Sequence, residues 1–431
     1  MRVQRKVQQL SFGAGAPSDK ITPVMDFLKE NYQIEVNRYD PNQIRIRSLK
    51  KNYRFPVSLD DISIHMMQMG IQHTRSMVQM ILRSPNQMKT YDPITEYFDR
   101  VGKMEITESH IDKLIAHLRV REFDDRPEGE YQKRAAYYIR KWLVAAAACA
   151  TGAYANEAAL VFVSETEGNG KTTLARFLCP PALSEMFATS SRDRQLFSMD
   201  QAVVRNFLVL YDEMYGIAPG MAEEFKTTMS AGQLAVRFKG DLCPVPRRRI
   251  ASVIGTTNNR MGNNYGFLSP AIGTRRFICI HLDSIDFDYM GTVDIDRVWA
   301  EAIQLSRQAD YNYRLTQADY DDLDEANQRY IVDTPASNLL QQVYMLPDGT
   351  DPDSERWMTT TEIINELRRM RVIKSDMSKY VTPKLVGAAL RALRFERKKI
   401  YGNGDRLYKY HVKSIICNEQ DAYNQVFIYI F

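Results

Sequence analysis

The chain is short of cysteine, of long apolar runs and of net charge, and each shortage removes a class of protein. Five cysteines are spread over 431 residues, and Cys149, Cys179, Cys243, Cys279 and Cys417 share no paired spacing. That pattern excludes a zinc ribbon or a disulfide framework and fits core thiols in a reducing compartment. The longest apolar run, Trp142 to Ala150, is too short to span a bilayer. The basic start Met1-Arg2-Val3-Gln4-Arg5-Lys6 has no apolar stretch behind it. The expectation is a cytoplasmic protein with no membrane partner. A net charge of only +4 excludes a polycation, so any nucleic-acid surface must come from local clusters.

What the chain does have is an apolar strand, Val161-Phe162-Val163, running into Gly168-Asn169-Gly170-Lys171-Thr172-Thr173 and then into the helix start Leu174-Ala175-Arg176-Phe177-Leu178. Strand, glycine-rich turn and helix in that order make a phosphate-binding loop, because N–H groups at a helix N-terminus point at anionic oxygens. Lys171 reaches the β- and γ-phosphates and the Thr172 hydroxyl sits on Mg²⁺, so ATP and Mg²⁺ are the expected ligands. The usual first glycine of such a loop is replaced by Glu165, with Gly168 the nearest substitute.

Further strands are expected at Leu160 to Val163, Phe207 to Tyr211, Ile250 to Thr256 and Phe277 to Leu282, alternating with helices in the manner of a mostly parallel sheet. The second strand ends in Asp212-Glu213, about forty residues after the loop, a spacing that suits a nucleotide-hydrolysing site. Asp212 would hold Mg²⁺ through water and Glu213 would orient and deprotonate the attacking water. The third strand ends in Asn258-Asn259; Asn258 is the candidate to face the γ-phosphate, with Asn259 its near rival. Gly273-Thr274-Arg275-Arg276-Phe277 sets two guanidinium groups before the fourth strand, and either Arg275 or Arg276 could stabilise the transition state in a neighbouring subunit.

Six segments are expected along the chain: a flexible arm at 1–20, a helical domain at 21–100, the nucleotide-binding domain at 101–315, a connecting helix and linker at 316–354, a basic module at 355–415 and an apolar tail at 416–431. The N-terminal helices, including Leu59 to Met69 and His73 to Leu82, are rich in methionine, which reads as core filler. Pro347 to Asp353 is the clearest linker. In the basic module, helices at Met358 to Met370 and Thr382 to Leu393 precede a hairpin over Phe395 to Val412, the order of a winged helix. Lys384 and Arg391 fall on its second helix, and Lys398, Lys399 and Arg406 on its wing, where they would bind duplex DNA.

Taken in order, the loop, Asp212-Glu213, the Asn258 strand and Gly273 to Phe277 resemble the virulence-associated E family. Those are helicase-like P-loop ATPases of phages, plasmids and genomic islands, related to superfamily 3 helicases. The resemblance runs from about Tyr91 to Trp299; Tyr91-Asp92-Pro93, Arg140-Lys141-Trp142-Leu143-Val144 and Val245-Pro246-Arg247-Arg248 are similar to further family segments. It implies an α/β fold with an AAA+-like P-loop NTPase core, a helical N-terminal domain and a C-terminal winged helix. It also implies a DNA helicase forming a homo-hexamer, with a single strand in the central channel. A separate primase or initiator would be a partner, since about ninety residues before the matching region leave no room for a primase domain. The family's channel hairpin would correspond to Leu234 to Asp241, with Lys239 on phosphate, Arg237 in support and Phe238 either stacked on a base or packed inward. The alternatives are an ATP-controlled origin-binding switch without unwinding and, more distantly, a small-molecule kinase.

Overall fold

Ile34 and Val36 alternate with polar neighbours, as do Ile44 and Ile46, and in the computed structural model these stretches are strands rather than helix. The structure describes residues 20–190, 198–214, 219–238, 240–258, 267–268, 274–331, 334–373, 377, 381–402 and 405–415. It divides into two units, Met1–Glu96 and Tyr97–Phe431, the division falling within a helix.

The first unit contains α1 (Ile21–Asn31), β1 (Tyr32–Asn37), β2 (Ile44–Ser48), α2 (Leu59–Gln68), α3 (Arg75–Leu82), β3 (Lys89–Tyr91) and the start of α4 (Pro93–Val101). The strands form a sheet in the order β2-β1-β3, antiparallel then parallel. A purely helical N-terminal domain is therefore corrected to an α/β one. The α1 face Val24, Met25, Phe27 and Leu28 packs on this sheet with Ile62 and Met66 of α2. The methionines divide: Met25 and Met66 are buried, whereas Met67, Met69 and Met80 lie on the surface.

The second unit opens with α5 (His110–Ala116), β4 (Leu118–Val120) and the long α6 (Glu130–Thr151). Then come β5 (Ala159–Ser164), α7 (Lys171–Phe177), β6 (Phe187–Ser190), α8 (Met199–Arg205), β7 (Leu208–Tyr211), α9 (Pro219–Ser230), β8 (Gln233–Val236), β9 (Val245–Arg248), β10 (Ser252–Asn258) and β11 (Phe277–Ile285). The six-stranded sheet has the order β4-β11-β5-β10-β7-β6. All neighbours are parallel except the edge strand β4, antiparallel to β11. Strands buried on both faces read as continuous apolar runs, as β5 does at every position.

After β11 follow α10 (Tyr289–Thr292), α11 (Ile295–Arg307) and α12 (Gln317–Asn327). The acidic α12 is bound to α6: Lys141 Nζ meets Asp319 at 2.7 Å with both side chains buried, Arg134 Nε meets Asp322 at 2.6 Å, and the Tyr137 and Tyr138 hydroxyls donate to the same two acids. The stretch read as a connector is thus part of the packed domain. On another side, Trp299 of α11 meets Phe207 and Phe98 edge-on at centroid distances of 4.8 and 6.2 Å.

The remaining elements are α13 (Pro335–Val343), β12 (Tyr344–Met345), β13 (Glu355–Thr359), α14 (Thr360–Arg369), α15 (Pro383–Ala392), β14 (Arg397–Gly402) and β15 (Asp405–Ser414). Leu339, Leu340 and Val343 share one core with Ile363, Leu367, Val386 and Tyr410. The boundary expected at 354/355 is corrected accordingly, because residues on both sides of it pack together. The segment Pro347 to Asp353 is tied down within the module, Lys413 Nζ lying 2.6 Å from both Asp348 Oδ1 and Thr350 Oγ1. Met358 sits in β13 rather than in a helix; Thr359 caps α14, accepting from Glu362 N–H. The Thr382 hydroxyl caps α15, with Pro383 at its first position. The expected arm and tail lie outside the described residues, apart from Lys20. Among the described residues no helix is long and apolar enough to cross a membrane, and no group of histidine, cysteine and acidic side chains could hold a metal by itself.

Candidate nucleotide site and nucleic-acid surfaces

Parallel strands deliver their C-terminal ends to one edge of the sheet, and loops that follow them meet there. Asn258 of β10 is in register with Ser164 of β5, the last residue before the glycine-rich loop. Gly255 is in register with Tyr211 of β7, which puts Asp212 beside Thr256. Residues from three separated segments thus converge on the start of α7.

Gly168 and Gly170 have φ of 73° and 89°, a left-handed backbone that side-chain-bearing residues rarely adopt. The backbone of Glu165 stays outside that region, so no glycine is needed there. Its carboxylate instead pairs with Arg121 at 2.9 Å. Lys171 is buried, and its ammonium donates to Thr166 O at 3.1 Å and Asn169 Oδ1 at 2.9 Å, both neutral acceptors. Burial pushes its pKa down, while Asp212 and Glu167 pull the other way. A phosphate would supply the anion that this buried cation otherwise meets only at longer range. Thr173 is exposed on the first turn of α7.

The Thr172 hydroxyl donates to Asp212 Oδ1 at 2.8 Å, and the Thr256 hydroxyl donates to the same oxygen at 2.5 Å. The Thr256 oxygen in turn accepts the Glu213 N–H at 3.3 Å. Glu213 is held at φ 53° with its side chain exposed, an unfavourable backbone for a non-glycine residue that its surroundings must impose. Two buried polar atoms, Asn169 Nδ2 and Asn258 Oδ1, find no hydrogen-bond partner among the described residues. Unpaired buried groups are costly, and here both lie at the strand edge that carries Lys171 and Asp212. Asn259 lies outside the described residues.

The fit to ATP and Mg²⁺ is therefore good in donor chemistry: a buried ammonium and left-handed glycines for phosphate oxygens, and a hydroxyl beside a carboxylate for a hard cation. Thr256 was not singled out in the sequence. Only the pairing of β7 with β10, strands distant in the chain, brings it to Asp212.

Arg275 and Arg276 precede β11, whose first residue, Phe277, is in register with Ala159, the first of β5. They therefore lie at the opposite edge of the sheet, one strand length or about 20 Å from the loop. Arg275 is exposed, 5.7 Å from the Tyr320 ring centroid, and Arg276 Nη2 donates to Ser230 at 3.3 Å. Neither is brought to the site of its own chain.

The expected hairpin exists, but β8 and β9 pair Gln233 with Arg248 through Val236 with Val245, and residues 237–244 form the connection. Of the two readings of Phe238, stacked on a base or packed inward, the structure has the second: it is 5% exposed, with Arg205 and Arg247 guanidiniums 3.7 and 4.0 Å from its ring centroid. Its N–H donates to Asp241, which also pairs with Arg247 at 3.0 Å. Arg237 stays exposed and donates to Asp241 O; Lys239 lies outside the described residues. At the hairpin root, Arg249 is 2% exposed and donates to the carbonyls of Thr228, Met229, Ala251 and Asn156.

In the C-terminal module Lys384 and Arg391 are exposed on α15 two turns apart, hence on one face. Arg391 also reaches the Tyr410 hydroxyl at 3.3 Å. Lys398 and Lys399 are exposed on β14, the Lys398 ammonium 4.0 Å from the Trp357 ring centroid, and Trp357 stacks on His411. Arg406 is placed by its backbone on β15, opposite Tyr401; its side chain lies outside the description.

No curated protein sequence matches the chain. Among solved structures, the apo structure of the NrS-1 C-terminal region is similar over 92% of this chain and 99% of that one, at 10% identity and a TM-score of 0.43. The X-ray structure of JCV helicase is similar over 55% of this chain and 66% of that one, at 11% identity and a TM-score of 0.26. The virulence-associated protein E-like domain matches residues 123–332, starting later than Tyr91 and running past Trp299 through α12. The glycine-rich loop, Asp212, Asn258 and both arginines all fall within the segment that matches the virulence-associated protein E-like domain.

Proposed function

We propose that this chain is an ATP-driven DNA helicase or translocase serving the replication of a phage, plasmid or genomic island. The observation that carries the reading is the meeting of Lys171, Thr172, Asp212 and Asn258 at one strand edge, with both arginines at the other. ATP lies along the loop, its phosphates on Lys171 and the N–H groups of Gly168 to Thr173. Thr172 and Asp212 hold Mg²⁺, which supplies charge neutralisation on the phosphate oxygens. Glu213 takes the proton of the attacking water, and Asn258 donates to the γ-phosphate. Arg275 or Arg276 of one subunit reaches the ATP of the next, so the catalytic unit is a pair within a ring, a hexamer on the family pattern. The strand arrangement supports this, since neither arginine can serve its own site.

DNA engages two surfaces. The order of α13, α14, α15, β14 and β15 supports a winged helix, and Lys384, Arg391, Lys398, Lys399 and Arg406 supply its phosphate contacts to duplex DNA. The hairpin contributes Arg237 and Lys239 to a single strand in the channel. A primase or initiator acts as a separate partner in the cytoplasm of the host cell.

Unwinding of a forked duplex with ATP and Mg²⁺ tests the reading, with Lys171→Ala as the inactive control. The second reading, an ATP-controlled origin-binding switch, draws on the burial of Phe238, which removes one grip on the strand. Tight duplex binding and DNA-stimulated hydrolysis without strand separation would select the switch.

A further inference from the structure

The triphosphate end of a nucleotide is fixed on one flank of the loop, because Asp212, Thr256 and Asn258 come from β7 and β10 on one side of β5. A nucleotide laid across the loop from there carries its base over the opposite flank, where β11 and β4 lie. On that flank β11 ends at Ile285, and the turn after it brings Phe287 against the loop. The ring occupies the space that a side chain on Gly170 would need: Phe287 Cζ and Cε1 lie 2.5 and 2.8 Å from the position of a Cβ there.

Phe287 is nevertheless 46% exposed. Its position is built: Tyr289, fully buried, lies nearly parallel behind it at a centroid distance of 6.4 Å and an angle of 26°. Tyr289 in turn meets Phe177 of α7 edge-on at 4.8 Å. The turn is pinned to His117, whose carbonyl accepts the Asp286 N–H at 2.9 Å and whose ring nitrogens lie 2.7 Å from Asp286 Oδ2 and 3.0 Å from Thr292 Oγ1. An aromatic ring braced on the helix that begins the phosphate site, and left half open to water beside it, has a face to offer a planar ligand.

We infer that Phe287 is the platform on which the base of the bound nucleoside triphosphate stacks, a purine giving the larger overlap. The inference rests on the reading of Lys171 to Thr173 as a triphosphate site and extends it to the base. Truncating such a stacking aromatic to alanine weakens binding about 5- to 150-fold. Leucine, which keeps an apolar cover over Gly170, should lose less.

Isothermal titration of the full chain with Mg-ATP and, separately, with inorganic tripolyphosphate tests this on the wild type, Phe287→Leu and Phe287→Trp. The expected result is that Phe287→Leu weakens Mg-ATP about tenfold and leaves tripolyphosphate unchanged, while Phe287→Trp keeps or improves Mg-ATP affinity. Equal weakening of both ligands in Phe287→Leu would make the ring a support for the loop and overturn the platform. Unchanged Mg-ATP affinity in Phe287→Leu would place the base elsewhere and overturn it as well. A wild type that binds neither ligand would instead refute the triphosphate site itself.

Discussion

Replacing Thr256 by valine keeps shape and burial but removes a hydroxyl that joins Asp212 to the backbone of Glu213. The bond to the Asp212 carboxylate, at 2.5 Å, belongs to the charge-assisted class and contributes about 1.5–3 kcal/mol. The Glu213 N–H belongs to an exposed residue, so water can replace that partner and the loss is at the low end, about 0.5 kcal/mol. The net destabilisation is thus about 2–3.5 kcal/mol, readable as a shift of the urea midpoint. Activity should suffer as well. Glu213 loses a contact that holds its left-handed backbone, and on the proposal that Glu213 is the general base, its displacement should lower kcat by about a hundredfold. Lys171 and the loop amides are untouched, so KM for ATP should stay nearly constant. Thr256→Ser, which restores the hydroxyl, should recover most of the rate. Steady-state ATP hydrolysis of the three proteins decides the matter. A Thr256→Val enzyme with kcat within about twofold of wild type would refute the claim that this hydroxyl sets the acidic pair.

Lys141→Met should destabilise the protein by about 3–5 kcal/mol in chemical denaturation, because it leaves Asp319 charged and buried without its partner; pairing it with Asp319→Leu should recover much of that loss. Burial alone would raise the pKa of Asp319 and Asp322, but Lys141 and Thr316 for the first, and Tyr138 and Arg134 for the second, outweigh it and hold both low. A depressed carboxylate stabilises fully above its unfolded pKa of about 4 and loses that contribution as pH falls through the folded value. Thermal melts should accordingly show Tm dropping below about pH 4, with a shallower drop in Asp319→Asn. Lys384→Ala and Arg391→Ala should each lower the slope of log affinity for duplex DNA against log salt by about one, with little change in sequence preference.

The arrangement of the candidate site was legible where it depends on contiguous residues. A strand, two glycines, Lys171-Thr172 and a helix follow one another without interruption, and Asp212 and Asn258 each end an apolar strand. Thr256 and Phe287 escaped because their positions depend on sheet order, β10 lying between β5 and β7 and β11 on the far side of β5. The N-terminal sheet escaped because Ile34-Val36 and Ile44-Ile46 alternate over stretches of only six and five residues, between helices with a stronger period. Phe238 could be read either way from sequence, since Arg205 and Arg247, which enclose it, come from α8 and β9. The linker at Pro347 to Asp353 has turn composition for a real reason, but Lys413 ties it into the module.

Mixed-subunit hydrolysis tests directly whether the site is shared between subunits. Glu213→Gln subunits, and subunits carrying whichever of Arg275→Ala and Arg276→Ala is inactive alone, should regain ATP hydrolysis when combined, because some interfaces then pair an intact Glu213 with an intact arginine. No recovery with either arginine variant, or full activity of both variants alone, would contradict a site completed by the neighbouring subunit.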